Sequence, residues 1–208
     1  MKTSEKILVT AQSLFNKEGL ANVSVRDICE SIGISVGNFT YHFPNRDQLM
    51  IQLYNHMIAK LEEAPKLVEA PQNSILFFLQ YHHYIFKVQS KYKFFYLNTF
   101  ELLKNHPEIK KAYLKHIKRE KEFIEELMQR NIEAGVFEKT MTDDVAKKII
   151  RVGQIVNIAW ITDAEISFKG NQKSMLKHYL ELCCSIIEPY LTPSAREEYE
   201  KFFLQLSM

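Results

Sequence analysis

The sequence predicts an all-α fold built from two helical domains. Apolar residues recur at helical spacing along almost the whole chain, and we find no convincing run of the strict apolar–polar alternation that marks a half-buried strand. The 208 residues include only six glycines and six prolines, which suits long helices better than a turn-rich sheet protein. Three helix-start signals also follow one another closely between residues 24 and 45.

Four helices are predicted in the first domain, residues 1–64. Gly19 and Gly33 follow the first two, as is typical of glycines that end helices in the left-handed conformation. The third begins at about Val36 and is stopped by Pro44, and the fourth extends to Ala64–Pro65. The apolar stripes of the first, second and fourth helices are Ile7, Leu8, Ala11, Leu14 and Phe15; Val25, Ile28, Cys29 and Ile32; and Leu49, Leu53, Tyr54, Met57, Ile58 and Leu61.

Three of these helices have a good N-cap residue, Ser24, Ser35 or Asn45. Their side-chain oxygens can accept hydrogen bonds from the otherwise unpaired N–H groups of the following turn. An apolar pair flanks each cap at the positions of a hydrophobic staple, which fixes the angle at which the chain enters the helix. The pairs are Val23 with Ile28, Ile34 with Phe39, and Phe43 with Leu49.

Residues 66–72 are predicted to connect this domain to a second one, residues 65–208, made of longer helices. Thr142 is a helix-capping residue followed by two acidic residues, which favour the positive end of a helix dipole. Thr192 with Pro193 is a cap followed by proline in the first turn. The predicted helices contain Ile75 to Ile85, Pro107 to Gly135, Thr142 to Trp160 and beyond, Leu176 to Ile187, and Tyr199 with Phe203.

Composition limits the function classes. No segment approaches the roughly 18 uninterrupted apolar residues of a membrane span, and the N-terminus does not resemble a signal peptide. With three cysteines, two of them adjacent, no disulfide framework is expected, and we predict a cytoplasmic protein. Adjacent His82 and His83 point about 100° apart on a helix, so no metal site is expected, nor any cofactor. The charged run 110–121, which interleaves with Glu120 and Glu122, predicts a solvated face.

Two short helices joined by a tight turn at Gly33, with a longer helix on each side, predict a helix-turn-helix at about residues 24–43. In such a unit the N-terminal residues of the second short helix meet base edges in the major groove. Those residues are Val36, Gly37 and Asn38, and Asn38 can pair with adenine through two hydrogen bonds. Groups suited to phosphate oxygens follow at Thr40, Tyr41, His42 and Arg46.

The stretch from Ser24 to Leu49 resembles the DNA-binding motif of the tetracycline-repressor (TetR) family in spacing and residue type. The matching segments are 24–28, 32–35, 37–39, 41–43 and 45–49. The resemblance implies a dimer that binds double-stranded palindromic operator DNA, usually as a repressor, and dissociates when a small ligand fills its C-terminal domain. It also implies that Arg26 lies at base edges. Two positions depart from the family. Many relatives have a lysine or another polar residue where Val36 stands, and a tyrosine where Thr40 stands.

Charge does not favour DNA binding by a single subunit. Residues 1–50 carry five basic and five acidic side chains, so this segment has no net charge. Since counterion release requires several phosphate contacts, affinity per subunit should be modest and dimerisation should be needed. The residues counted are Lys2, Lys6, Lys17, Arg26 and Arg46 against Glu5, Glu18, Asp27, Glu30 and Asp47.

The second domain is rich in aromatic residues, most of which helical spacing assigns to a core. Some are predicted to line a pocket for a small lipophilic ligand, with a few polar tips that orient it. The predicted pocket residues are Phe78, Tyr81, His82, Phe95, Asn98 and Trp160. The helices at about 144–168 and 172–189 have broad apolar faces, and the resemblance implies that they form a homodimer interface.

Two other function classes are weighed against a ligand-responsive repressor. A constitutive DNA-binding protein would use its C-terminal domain only to dimerise, and a solid core there would favour it. An enzyme with an accessory helical bundle is not expected, because the sequence contains no recognisable nucleophile–base pair, phosphate loop or metal-ligand spacing.

Overall fold

The computed structural model describes residues 2–206, and this part of the chain is helical without β-strands, which confirms the predicted all-α class. The helices are α1 (Thr3–Glu18), α2 (Val25–Ile32), α3 (Val36–His42), α4 (Arg46–Leu67), α5 (Ile75–Lys91), α6 (Lys93–Leu97), α7 (Thr99–Asn105), α8 (Pro107–Glu133), α9 (Asp143–Ser167), α10 (Gln172–Ser185) and α11 (Pro193–Gln205). Short 3₁₀ turns lie at Leu20–Asn22 and Glu188–Tyr190. No helix within residues 2–206 is long and apolar enough to cross a membrane.

The chain forms two compact units. The first comprises the chain up to Leu61 together with Lys91–Leu114, and the second comprises Glu62–Ser90 together with the chain from Lys115 onward. This division describes packing. The functional boundary between residues 64 and 65 stays a prediction.

The predicted helix starts of the first unit are confirmed. The Ser24 and Ser35 hydroxyls accept hydrogen bonds from the backbone N–H groups of Asp27 and Asn38, at 3.3 and 3.1 Å. Asn45 Oδ1 accepts from the Gln48 N–H at 2.9 Å. Since each cap satisfies an orphan donor of the next turn, the three helices start at the expected positions.

The last turn of α4 differs from the prediction. The helix continues through Pro65 to Leu67 instead of ending at Ala64–Pro65. Proline removes one backbone donor, and its ring opposes the carbonyl one turn earlier. So close to a helix end this disturbs a single hydrogen bond, and the chain continues helically for two residues.

Two short helices, α6 and α7, were not predicted. They meet at Asn98, whose side-chain amide donates to the Phe94 carbonyl at 2.7 Å. The Phe94 ring lies 5.5 Å from that of Phe15 in α1, and Phe95 lies 5.2 Å from Tyr54 in α4. The aromatic residues of this segment therefore complete the core of the first unit.

The remaining predicted helices are also present. α8 starts at Pro107 in the first unit and continues into the second. In the second unit, Thr142 Oγ1 caps α9 by accepting from the Val145 N–H at 3.4 Å, and Pro193 lies in the first turn of α11. At its centre, Trp160 is stacked on Phe86 with ring centroids 4.8 Å apart. The indole N–H of Trp160 donates to Gln89 Oε1 at 2.6 Å, so this buried donor is satisfied.

Candidate functional site

The turn between α2 and α3 has the backbone that a helix-turn-helix requires. Gly33 has φ 69° and ψ 39°, in the left-handed region, and its N–H donates to the carbonyls of Cys29 and Glu30. A residue with a Cβ would be strained there. The N–H of Ile34 donates to the Cys29 carbonyl at 3.0 Å, which closes α2 before Ser35 starts α3.

Buried aromatic side chains fix which face of α3 is turned outward. Phe39 is fully buried, and its ring centroid lies 5.8 Å from that of Phe43, which is also buried. Ile28 on α2 is likewise fully buried. Because α3 is anchored through Phe39, its opposite face is presented to solvent.

The predicted base-contact residues lie on this outward face. Val36, Gly37 and Asn38 are all exposed in the first turn of α3. Thr40 is exposed too, and its hydroxyl donates to the Gly37 carbonyl at 3.0 Å. Tyr41 is 84% exposed, so its ring takes no part in the core.

The two remaining predicted contacts on α2 and α3 are placed differently. Arg26 is exposed on the first turn of α2. His42 is half-buried at the end of α3, with its ring edge-on to Tyr41 at 5.0 Å between centroids. All of these residues stay predictions as DNA contacts.

Arg46 is engaged inside the protein. Its guanidinium donates through Nη2 to the Leu20 carbonyl and lies over the Phe15 ring, 5.5 Å from the centroid. Its Nε is buried without a hydrogen-bond partner among residues 2–206. Arg46 thus ties the start of α4 to the 3₁₀ turn after α1, and its predicted phosphate contact stays untested.

Replacing Arg46 with alanine is expected to lower the free energy of unfolding by about 1–3 kcal/mol, because a charge-assisted hydrogen bond and a cation–π contact are lost. Chemical denaturation followed by circular dichroism measures this. Arg26→Ala, which removes an exposed arginine from α2, should change stability by less than about 0.5 kcal/mol. Equal stability of the two variants would show that Arg46 does not hold the turn.

Acidic side chains of the first unit are partly used as helix caps. The Asp27 carboxylate accepts from the Ser24 N–H at 2.6 Å, and hydrogen bonds from Ser24 lower the pKa of Asp27. Glu5 accepts from the Lys2 N–H at 3.0 Å. These carboxylates therefore serve the N-terminal turns of α2 and α1, where a negative charge is stabilised by the helix dipole.

A cavity lies within the second unit, bounded by α5, α8, α9 and the end of α10. The empty space in and around it, which includes open solvent at its mouth, is about 460 Å³. The apolar lining includes Phe78, Ile124, Met128, Ile149, Ile150 and Ile186. The polar lining consists of His82, Glu120, Lys121, Gln154 and Asn157.

Glu120 is the unusual member of this lining. Burial raises the pKa of its carboxyl to about 7, and within residues 2–206 no hydrogen bond or ion pair reaches it. Its charge also raises the pKa of Tyr81 beyond the rise that burial causes. The sequence predicts a solvated face for the basic run 110–121 and its interleaved glutamates, and of these Glu120 is half-buried and lines the cavity.

Two neutral polar groups accompany Glu120. The His82 Nδ1–H donates to the Phe78 carbonyl at 2.8 Å, and burial lowers the pKa of His82 to about 4. Asn157 Oδ1 is buried without a hydrogen-bond partner in the described part of the chain. Around neutral pH the histidine is thus uncharged, with Nε2 as an acceptor.

The structure brings together only two of the six predicted pocket residues. Phe78 and His82 line the cavity. Tyr81 and Trp160 are buried in the same unit but do not line it, while Phe95 and Asn98 belong to the first unit. All six stay predictions as ligand contacts. Sequence reasoning did not select Glu120, Gln154 or Asn157.

Within residues 2–206 the structure contains no group of three or more histidine, cysteine, aspartate or glutamate side chains that could hold a metal ion. The three cysteines are buried and unpaired. Burial raises the pKa of Cys183 to about 12, so its thiol is not activated for nucleophilic chemistry.

Two family profiles match the chain. One, described as bacterial regulatory proteins of the tetR family, matches residues 7–53, and another, described as a TetR bacterial transcriptional repressor, matches residues 53–199. The HTH-type regulator YttP of Bacillus subtilis (strain 168) is 30% identical over 76 residues, which are 36% of this chain. That match spans only 35% of YttP.

Solved structures share the fold along nearly the whole chain. A TetR-family regulator from Marinobacter aquaeolei VT8 superposes with a TM-score of 0.87 at 21% identity, covering 99% of both chains. A transcriptional regulator from Saccharomonospora viridis, solved in complex with choline, has a TM-score of 0.71 at 18% identity, covering 89% of this chain and 95% of that one. Because the second family profile alone spans more than half of the sequence, the chain belongs to the TetR family of bacterial transcriptional regulators.

Proposed function

We propose that this regulator is a homodimeric repressor that binds a palindromic operator through α3 and dissociates when a small ligand occupies the cavity of the second unit. The DNA-binding part of this proposal rests on the outward face of α3. Asn38 and Tyr41 are exposed on a helix whose inward residue, Phe39, is fully buried. Polar and aromatic groups held in this way serve no core and are available to bases and phosphates.

Dimerisation is supported by an unpartnered apolar stripe on α9. Val152, Ile155, Ala159 and Ile166 are exposed, and their spacings of three, four and seven residues place them on one side of the helix. Leu182 on α10 is also exposed. A two-fold contact between such faces would remove these side chains from water in both copies.

Ligand response is supported by the cavity, since a solid core would have favoured a constitutive DNA-binding protein. The Saccharomonospora viridis regulator was solved with choline. By analogy of fold, the second unit can accommodate a small molecule. The ligand acts by binding one conformation of the dimer more tightly than the other, and the favoured conformation no longer matches successive major grooves.

Helix α5 provides a physical link for this response. Its early turns carry the cavity residues Phe78 and His82. The carbonyl of its last residue, Lys91, accepts hydrogen bonds from Gln12 and Asn16 of α1 at 2.6 and 2.7 Å. The last residue of α5 is thus hydrogen-bonded to α1, the helix that packs on α2.

Footprinting of the purified full chain on the DNA upstream of its own gene, across a salt series, tests the proposal. We expect a protected palindrome with half-sites about one helical turn, roughly 34–36 Å, or a small multiple apart. Protection should weaken steeply with salt, because phosphate contacts release counterions. Binding that is absent even at low salt, or equal on unrelated DNA, would contradict the operator proposal.

A further inference from the structure

The cavity of the second unit offers hydrogen-bond acceptors to whatever enters it. The Glu120 carboxylate has no partner within residues 2–206, and Asn157 Oδ1 is buried without one. The His82 Nδ1–H is already used by the Phe78 carbonyl, which leaves the lone pair of Nε2. A ligand that complements these atoms has to donate hydrogen bonds or carry positive charge.

The negative charge of Glu120 is not neutralised by the one cationic side chain at the cavity. Lys121 Nζ lies 3.5 Å from Glu125 Oε1, so this ammonium group is paired elsewhere. Burial without a compensating cation raises the pKa of Glu120 to about 7. Glu120 is half-buried at the cavity, and a carboxylate that is partly removed from water without a cationic partner is stabilised by a cation bound beside it.

The rest of the lining is suited to an apolar body. Phe78, Ile124, Met128 and Ile186 present aromatic, aliphatic and thioether surface around the polar groups. A strongly hydrated metal ion or a free ammonium ion would gain nothing from this apolar surface, whereas an alkylated cation would bury its carbon atoms against it.

We propose that the cavity binds a small organic cation with an apolar body and that Glu120 is its counter-ion. This inference deepens the ligand response proposed above and rests on it for its regulatory meaning. The binding chemistry itself depends only on the residues of the second unit.

Titration calorimetry of the full chain with benzyltrimethylammonium at about pH 8 tests the charge requirement. We expect binding by the native protein and a loss of about tenfold to a hundredfold in Glu120→Gln, which keeps the shape and removes the charge. The matched control is Glu122→Gln, on the exposed side of the same helix, where Glu122 pairs with Lys118 at 3.8 Å. Its affinity should equal that of the native protein.

Two further compounds make the test independent of whether Glu120→Gln folds. Neopentylbenzene has the shape of benzyltrimethylammonium without its positive charge, and benzenesulfonate carries a negative charge instead. We expect the cation to bind the native protein more tightly than either. Equal or tighter binding of the neutral compound or the anion would overturn the inference, as would an unchanged affinity in folded Glu120→Gln.

The pH profile separates a counter-ion from a structural role. Glu120 has to be ionised to hold the cation, so affinity should rise with pH through about 7 and level off above it. Burial lowers the pKa of His82, which lines the cavity, to about 4 and raises that of Cys183 to about 12. Tyr81 lies outside the lining, and burial together with the charge of Glu120 raises its pKa well above the usual value. Lys121 is paired with Glu125, and the lining residues of α9 are neutral. A flat profile would contradict the assignment.

The two proposals fail in different ways. If the chain protects no DNA, the operator proposal is wrong, and the calorimetry still decides whether the cavity is a cation site. If it protects an operator but shows no preference for the cation, the cation site alone is wrong. When both hold, adding benzyltrimethylammonium should reduce operator protection in the native protein and much less in Glu120→Gln.

Discussion

Replacing Asn38 with alanine is expected to lower operator affinity by roughly thirtyfold to 10⁴-fold. Asn38 is exposed in the first turn of α3, and its side chain can pair with adenine through two hydrogen bonds. One such pair contributes about 1–3 kcal/mol of discrimination, so two half-sites contribute about 2–6 kcal/mol. The effect should be confined to the specific site, and binding to unrelated DNA should change little. Gel-shift titrations on the footprinted operator and on a scrambled duplex measure both.

The fold should survive this substitution. The Ser35 cap uses the backbone N–H of residue 38, which alanine retains, and alanine favours a helix more than asparagine does. Asn55→Ala is the matched control, since Asn55 is an exposed helical asparagine on α4. If both variants bind the operator as the native protein does, Asn38 does not read bases.

The helix-turn-helix was predictable because its determinants are local. The caps Ser24, Ser35 and Asn45 and the left-handed Gly33 act on neighbouring backbone groups, and the short sequence separations leave little freedom. Local sequence patterns do not show which of several possible partners a long side chain will contact. The sequence predicts a phosphate contact for Arg46, which stays untested, and it gives no sign that the Leu20 carbonyl and the Phe15 ring engage this side chain within the fold.

In the second unit, the sequence could have identified one of the polar cavity residues but not another. Glu120 stands within a charged run, which suggested a solvated face, but it also lies three, four and seven residues before Phe123, Ile124 and Leu127. That spacing places Glu120 on the apolar stripe of α8 and could have identified it as a residue that lines the cavity. Asn157 gives no such signal, because its burial without a partner depends on how α9 packs against other helices.

Replacing Ile155 with lysine is expected to convert the proposed dimer into a monomer at micromolar concentration. Ile155 is 53% exposed in the centre of the apolar stripe of α9. Since about half of the Ile155 side chain is already buried in the monomer, its loss in two copies removes about 1.5–3 kcal/mol of apolar stabilisation, and two lysines would also face a desolvated interface. The apolar loss alone raises the dimer dissociation constant by roughly tenfold to a hundredfold, and the buried charges raise it further. Light scattering after gel filtration distinguishes twice 24.5 kDa from 24.5 kDa.

The control for this variant has to separate the interface from exposed apolar surface in general. Leu204 on α11 is 67% exposed and lies outside the predicted interface, so Leu204→Lys should leave the dimer intact. Because the first 50 residues carry no net charge, a single subunit is expected to bind DNA weakly, and Ile155→Lys should also lose operator protection although α3 is unchanged. A dimeric Ile155→Lys variant would place the interface elsewhere. A monomeric variant that still protects the operator would show that dimerisation is not what makes DNA binding strong.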